Sequence, residues 1–161
     1  MAKTLRVNVN LTPAGALTNT VDYATAIENL QFDEISTLLT NGSGISQGNQ
    51  WATLGSTVAA SGNWDIDLTD LDNVYGAVNL SKVKIFLLHL DEPDGALYVN
   101  IGSTVANQFD AHHTGVQEVW STYYHENVYD GWTVDGTNKI IRVQNPTASA
   151  VALSGWIAGV E

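Results

Sequence analysis

The sequence predicts an all-β protein, folded as a jelly-roll β-sandwich of about eight or more antiparallel strands. Short apolar runs recur along the chain and are separated by turn residues, which is typical of such folds. The chain has 14 glycines, and only 14% of its 161 residues are charged, while 44% are hydrophobic, enough to fill a core. We expect one domain over residues 1–161, with a closed barrel as the alternative fold.

The N-terminal third contains one clear strand and one ambiguous stretch. Residues 5–12 alternate strictly between apolar and polar side chains, as a half-buried strand does. Pro13 ends this strand because proline cannot donate to a ladder. Residues 22–40 combine helix-like spacing at Tyr23 and Leu30 with strand-like runs. One short helix and a strand therefore both stay open there, and residues 41–50 are predicted to form a loop.

The remaining chain predicts a series of short strands. Residues 83–90 are apolar on both faces after Lys84, so we expect them to form a strand buried on both sides at the centre of the core. Residues 91–95 contain a Pro and an Asp-Gly pair, which predicts a tight turn leading to residues 96–102 as the hairpin partner. Residues 70–76 are predicted to form a turn or a single helical turn. The other strands are predicted at residues 51–54, 64–68, 119–125, 132–134, 139–144 and 151–158.

Charge and composition exclude several classes of function. The chain has six Lys and Arg against 17 Asp and Glu, a formal charge of -11, with no basic cluster for a nucleic acid backbone. No apolar run approaches the roughly 18 residues that a membrane helix needs. The absence of cysteine excludes disulfides and thiolate zinc sites. The N-terminus does not look like a signal peptide, so we expect synthesis and folding in a cytoplasm.

Two groups of side chains could hold a metal ion, and we expect neither to do so. His112 and His113 lie near Asp110, and His125 precedes Glu126, but adjacent residues of a strand point to opposite sides. The second group could bind calcium through carboxylates, although it lacks the spacing of an EF-hand loop. We interpret it as a solvated strand edge with capping aspartates. It comprises Asp65, Asp67, Asp70 and Asp72.

Aromatic residues give the strongest indication of function. No nucleophile elbow, P-loop or zinc-protease motif occurs, so we expect no enzyme activity and no cofactor. Five Trp and Tyr residues crowd into residues 120–132, and such side chains are enriched at interfaces. Trp120 and Tyr124 would share one strand face and belong to the core. Tyr123, Tyr129 and Trp132 are therefore the predicted interface residues.

Apolar and glycine positions over about two-thirds of the chain follow a family pattern. The first strand and the chain from Trp51 onward resemble small jelly-roll proteins encoded beside the major capsid protein of tailed bacteriophages, some of them capsid decoration (cement) proteins. Residues 13–48 and 115–126 depart from that pattern. The matching positions include Asp67-Leu68, Leu71, Gly76, Val83-Lys84, Leu97 to Val99, Ile101-Gly102, Gly131 to Val134, Ile141 to Asn145 and Gly159.

The resemblance implies a noncatalytic protein that binds the assembled capsid surface and stabilises it. Its partner would be the major capsid protein, its location the virion after synthesis in the host cytoplasm, and its oligomer a homotrimer. The N-terminal strand could pair with another chain. The alternatives are a carbohydrate- or receptor-binding module of a phage fibre, and a hydrolase built on a β-sandwich.

Overall fold

All the regular structure of the described chain is β-strand. The computed structural model describes residues 7–11, 14–21, 24–31, 35–73, 76–91, 97–102, 104–109 and 116–161. Every regular element in these ranges is a strand, which confirms the all-β class. The described ranges contain no helix that is long and apolar enough to cross a membrane. Of residues 22–40 the structure describes 24–31 and 35–40, which form strands, so the expectation of a short helix is wrong for these residues.

The strands are numbered in chain order. The first half of the chain contains β1 (Val7–Leu11), β2 (Ala14–Val21), β3 (Ala24–Gln31), β4 (Ile35–Asn41), β5 (Gln47–Gly48), β6 (Gln50–Val58), β7 (Asn63–Asp67), β8 (Leu71–Asn73) and β9 (Gly76–Val78). The second half contains β10 (Lys82–Leu90), β11 (Val99–Ile101), β12 (Gln117–Val119), β13 (Thr122–Glu126), β14 (Trp132–Thr133), β15 (Ile140–Gln144) and β16 (Val151–Val160).

Two sheets pack face to face around one apolar core. The larger sheet has the order β13-β10-β16-β6, with β14 also paired to β10, and the smaller sheet has the order β12-β11-β15-β7. Phe86 and Leu88 of β10 pack in the same buried cluster as Ile101 and Val143 of the smaller sheet. A buried contact of this kind between two antiparallel sheets defines a β-sandwich, so that prediction is confirmed.

The strands of the sandwich pair in nested order. β6 pairs with β16, β7 with β15, β10 with β13, and β11 with β12. Among these eight strands the first therefore pairs with the last, the second with the seventh, the third with the sixth and the fourth with the fifth. The eight strands thus follow the course of one long antiparallel ribbon that folds back across the two sheets.

The predicted central strand is confirmed, but its predicted hairpin partner is wrong. β10 has β16 on one edge and β13 with β14 on the other, and six of its nine residues are buried. Both edges of β10 are thus occupied. Residues 99–101 form β11 in the opposite sheet, where they pair with β12 and β15.

A β-bulge interrupts β10 at Lys84. Val83 lies opposite Gly159 and Ile85 lies opposite Ala158, so Lys84 is the extra residue between two ladder pairs. Without a bulge, Val83 and Ile85 would face the same side of the sheet. The bulge instead places Val83 in the sandwich core and Ile85 on the outer face. A bulge also redirects the side chain of the residue that it inserts.

A third layer covers part of the outer face of the larger sheet. β1, β4 and β5 form a small sheet, and the buried Leu39 of β4 packs with Ile85 and Ala158. The prediction of a strand in residues 5–12 is confirmed over Val7–Leu11. Among the described strands, β2 and β3 pair only with each other.

Two further predictions need correction. Residues 119–125 do not form a single strand, because Val119 ends β12 in the smaller sheet and Thr122 begins β13 in the larger one. Residues 70–76 do not form an isolated turn, because Leu71 to Asn73 pair with Gly76 to Val78 as a short antiparallel hairpin. Local sequence patterns do not show where a chain crosses between sheets.

Candidate functional site

Two of the three predicted interface residues lie together at the border of the core. Tyr123 on β13 and Trp132 on β14 are half-buried and pack against the main apolar cluster. The ring of His125 stands between them, 5.9 Å from Tyr123 and 4.8 Å from Trp132, measured between ring centroids. Tyr123 also meets the buried Phe86 edge to face at 5.7 Å. These rings form a continuous aromatic row from the core toward the surface.

Burial disfavours charge on the aromatic row. Burial raises the pKa of Tyr123 from 10.0 to about 12 and lowers the pKa of His125 from its ordinary value of 6.5. Desolvation disfavours the charged form of either group, which explains both directions. The row therefore offers apolar faces with a polar edge, which suits contact with another molecule or packing within the fold.

Tyr129, the third predicted interface residue, lies outside this row on a turn. Residues 128–130 form the turn between β13 and β14, and Tyr129 is 68% exposed. The Asn127 side chain accepts a hydrogen bond from the Asp130 amide at 3.2 Å, and the Asn127 carbonyl accepts one from the Gly131 amide at 2.9 Å. Gly131 has a φ of +77°, a left-handed conformation that glycine adopts without steric cost.

Two lysines of β10 donate hydrogen bonds to the backbone carbonyls of this turn. The buried Lys84 ammonium donates to the carbonyls of Val128 at 3.2 Å and Tyr129 at 3.1 Å. The Lys82 ammonium donates to the carbonyl of Asp130 at 3.2 Å and lies 3.4 Å from its carboxylate. Three consecutive carbonyls are thus held by two cations. Burial lowers the pKa of Lys84, and the neighbouring charge of Lys82 acts in the same direction, while Asp130 opposes it.

The prediction for Trp120 is wrong. The sequence places Trp120 in the core with Tyr124, but Trp120 is 45% exposed in the bend between β12 and β13. Its indole stacks on the ring of Tyr98 with centroids 4.5 Å apart and planes inclined by 26°. Tyr124 is half-buried against the separate cluster that contains Leu39. The change of sheet at Trp120 explains why the two side chains do not share a face.

Among the residues whose side-chain burial the structure describes, the exposed large hydrophobic side chains lie in loops and bends. They are Ile45, Val116, Trp120 and Tyr129. Ile45 is the one apolar residue in the polar stretch of residues 41–47, and this contrast was the only feature of the sequence that could have indicated it. Loops on a rigid scaffold commonly carry binding residues, because the scaffold supplies the stability that the loop lacks.

Two of the four aspartates considered for calcium, Asp65 and Asp67, form ion pairs with Arg142 of the neighbouring strand β15 and with Lys139, the residue before that strand. Arg142 binds both carboxylate oxygens of Asp65 at 2.7 and 2.6 Å, and its hydrogen bond lowers the pKa of that carboxyl. Lys139 binds Asp67 at 2.6 Å. Partial burial disfavours the Asp67 carboxylate, but hydrogen bonds from Lys139 and Thr69 outweigh this effect and lower its pKa. These carboxylates join β7 to β15, and Asp67 also caps the following turn through Thr69.

The described residues contain no group of three or more His, Cys, Asp or Glu side chains that could hold a metal ion. His112 and His113, with Asp110, lie outside the described residues. His125 packs against Trp132, as described above.

No family model, curated protein or solved structure matches the chain. The described residues could bind another molecule, because apolar and aromatic side chains are held in defined positions at the edges of the two sheets and in the loops between strands.

Proposed function

We propose that this chain is a noncatalytic capsid decoration protein that binds the surface of an assembled phage shell and stabilises it. The observation that carries the proposal is the location of the exposed large hydrophobic side chains of the described chain. Where the structure describes side-chain burial, these side chains lie in loops and bends at the surface. Exposed apolar groups on a preorganised scaffold favour attachment to a larger surface, because little conformational freedom is lost on binding.

The fold supports this proposal through its strand order. Nested pairing of eight strands, first with last and fourth with fifth, is what a jelly roll requires. This pairing supports our proposal that the sandwich is of the jelly-roll type. The family pattern also falls at positions with structural meaning, since Gly159 lies opposite the bulge that contains Lys84, and Asn145 is fully buried.

The proposed partner is the major capsid protein in its assembled form, and the proposed location is the virion. A protein that binds only the assembled lattice stabilises that lattice by mass action. A homotrimer would strengthen weak single contacts through multivalency. The N-terminal strand β1, at the end of the order β1-β4-β5, is a candidate for pairing with another chain.

Cosedimentation tests the proposal directly. Purified protein is mixed with empty expanded capsids and, separately, with unassembled capsid subunits. We expect the protein to pellet with capsids and to show little affinity for subunits. Equal affinity for both would contradict a cement role. Sedimentation velocity of the protein alone tests the trimer, since a monomer over the working concentration range would refute that part.

One observation favours a second candidate, a carbohydrate- or receptor-binding module of a phage fibre. The indole of Trp120 is backed by the ring of Tyr98 and remains partly exposed, so one of its faces could stack on a sugar ring. A glycan array with the wild-type protein, Trp120→Ala and Trp132→Ala would separate the two functions. Saturable glycan binding that Trp120→Ala or Trp132→Ala abolishes, without capsid binding, would favour the second candidate.

A further inference from the structure

Two exposed apolar residues that are distant in sequence lie on loops that contact each other. The Ser46 amide donates a hydrogen bond of 2.8 Å to the carbonyl of Val128, which joins the loop of Ile45 to the turn of Tyr129. Ile45 is 58% exposed and Tyr129 is 68% exposed. We call the surface that contains these two side chains the Ile45–Tyr129 patch. Its two residues are 84 positions apart in the chain, so only the fold brings their loops together.

The turn beneath the patch is ordered before any partner arrives. Lys84 and Lys82 together bind the carbonyls of Val128, Tyr129 and Asp130, as described above. A Cβ added to Gly131 would lie 3.1 Å from the aliphatic part of Lys84, so the lysine stem fills the space under the turn. Preorganisation reduces the entropy that an interface residue loses on binding, and tyrosine is enriched among residues that dominate binding energy.

The charge around the patch indicates the chemistry of its partner. The Asp130 side chain is 79% exposed beside Tyr129, and the whole chain carries a formal charge of -11. Among the described residues, each cation already binds a group of this chain: Lys82 and Lys84 bind the turn, Lys139 binds Asp67, and Arg142 binds Asp65. The described part of the chain therefore supplies no further cation to a complementary interface, and we assign the positive charge to the partner. A second copy of this acidic chain fits this requirement poorly.

We infer that the Ile45–Tyr129 patch is the docking surface for a protein partner that presents an apolar pocket with a basic rim. The inference rests on the proposed function and deepens it, since the partner would be the outer surface of the assembled shell. Tyr129 and Ile45 fill the pocket, Asp130 meets the rim, and Lys84 positions the turn from inside the protein. Electrostatic attraction between rim and patch makes the association weaken as salt increases.

The chain offers matched control residues for the test. Thr104 and Gln117 are exposed, uncharged residues to which neither proposed function gives a role. The patch variant combines Ile45→Ser with Tyr129→Ser, and the control variant combines Thr104→Ser with Gln117→Ser. Thermal unfolding followed by circular dichroism verifies that each variant is folded, with Ile45→Ser and Tyr129→Ser alone as replacements if the double variant unfolds.

Cosedimentation titrations with expanded capsids give the dissociation constants. We expect the patch variant to bind at least about tenfold more weakly than wild type, and the control variant to stay within about twofold. Raising NaCl from about 0.05 M to about 0.5 M should weaken wild-type binding severalfold.

Any other result of these binding experiments would overturn a specific part of the inference. If the control variant loses binding and the patch variant keeps it, the docking surface is wrong and the proposed function stands. Binding that is indifferent to salt overturns the basic rim. Wild-type protein that does not bind capsids overturns the proposed function and this inference with it.

Discussion

Substituting Gly159 with alanine should disrupt the contact between β16 and β10. A Cβ at Gly159 would lie 2.0 Å from the carbonyl oxygen of Lys82 and 3.2 Å from the Cα of Val83. Both nearby atoms belong to the backbone of the paired strand, so no side chain can rotate away. Carbon and oxygen atoms that are not bonded need a separation of about 3.2 Å, so the strands would have to move apart by about 1 Å.

The expected cost is large for a single methyl group. Overpacking in a close-packed interior costs typically about 1–3 kcal/mol, and a backbone shift at a bulge belongs at the upper end or above it. We therefore expect Gly159→Ala to lower the free energy of unfolding by about 3 kcal/mol, which corresponds to a fall in Tm of about 6–12 °C for a chain of this size. The bulge at Lys84 lies at the same contact, so the turn that carries Tyr129 should also loosen.

Gly55→Ala is the matched control. Gly55 lies on β6, which pairs with the other edge of β16, and a Cβ there would meet the Leu153 carbonyl at an ordinary distance of 3.8 Å. We expect no loss of stability, and a gain of up to about 0.5–1 kcal/mol, because alanine restricts the unfolded chain. Urea denaturation followed by tryptophan fluorescence measures both variants. Equal stability of Gly159→Ala and wild type would refute the argument from the close approach of the strands.

Three further predictions concern buried polar groups. Lys84→Met should lower the free energy of unfolding by about 1–2 kcal/mol, because two backbone carbonyls lose a charged donor. It should also speed hydrogen exchange in residues 128–131. Unchanged exchange would contradict the role of Lys84. Asn145→Ala should lower the free energy of unfolding by about 2–4 kcal/mol, since the buried side-chain amide donates to three backbone carbonyls. Urea denaturation measures this change, and a loss below about 1 kcal/mol would contradict the argument. The unfolded chain loses the Tyr123 proton near the ordinary pKa of 10.0, whereas the folded protein keeps it up to about 12, so stability should fall as pH rises between these values. The free energy of unfolding should fall by at most about 2.7 kcal/mol, and by less than this because the ring is partly exposed to solvent. Tyr123→Phe should remove most of the pH dependence of the urea midpoint, whereas Tyr129→Phe, at an exposed position, should retain it.

The sequence was most informative where burial imposes a regular pattern on the residues. Strict alternation predicted the first strand, and the continuous apolar run of residues 83–90 predicted the buried β10. These patterns arise because each side chain of a strand faces one of two environments, and the environment selects the residue type. The strand partners were less accessible. The partner of Lys82 is Val160, at the far end of the chain, and no local pattern encodes that distance.

The candidate site was only partly predictable for the same reason. Composition identified residues 120–132 as rich in aromatic side chains, and Tyr129 is exposed as an interface residue should be. The prediction failed at Trp120, since its exposure depends on the chain leaving one sheet and entering the other. Ile45 gave almost no signal, because an apolar residue in a polar loop can equally be buried under that loop.

The sequence alone determined the all-β class, most of the strand positions and the apolar residues that fill the core. It did so because the alternation of burial along a strand is a local property. Only the tertiary structure decided how the strands are arranged in two sheets, that Lys84 is a buried cation under a turn, and that the loops of Ile45 and Tyr129 meet. These features depend on contacts between residues far apart in the chain. Such contacts form when whole sheets pack, and short-range patterns do not record them.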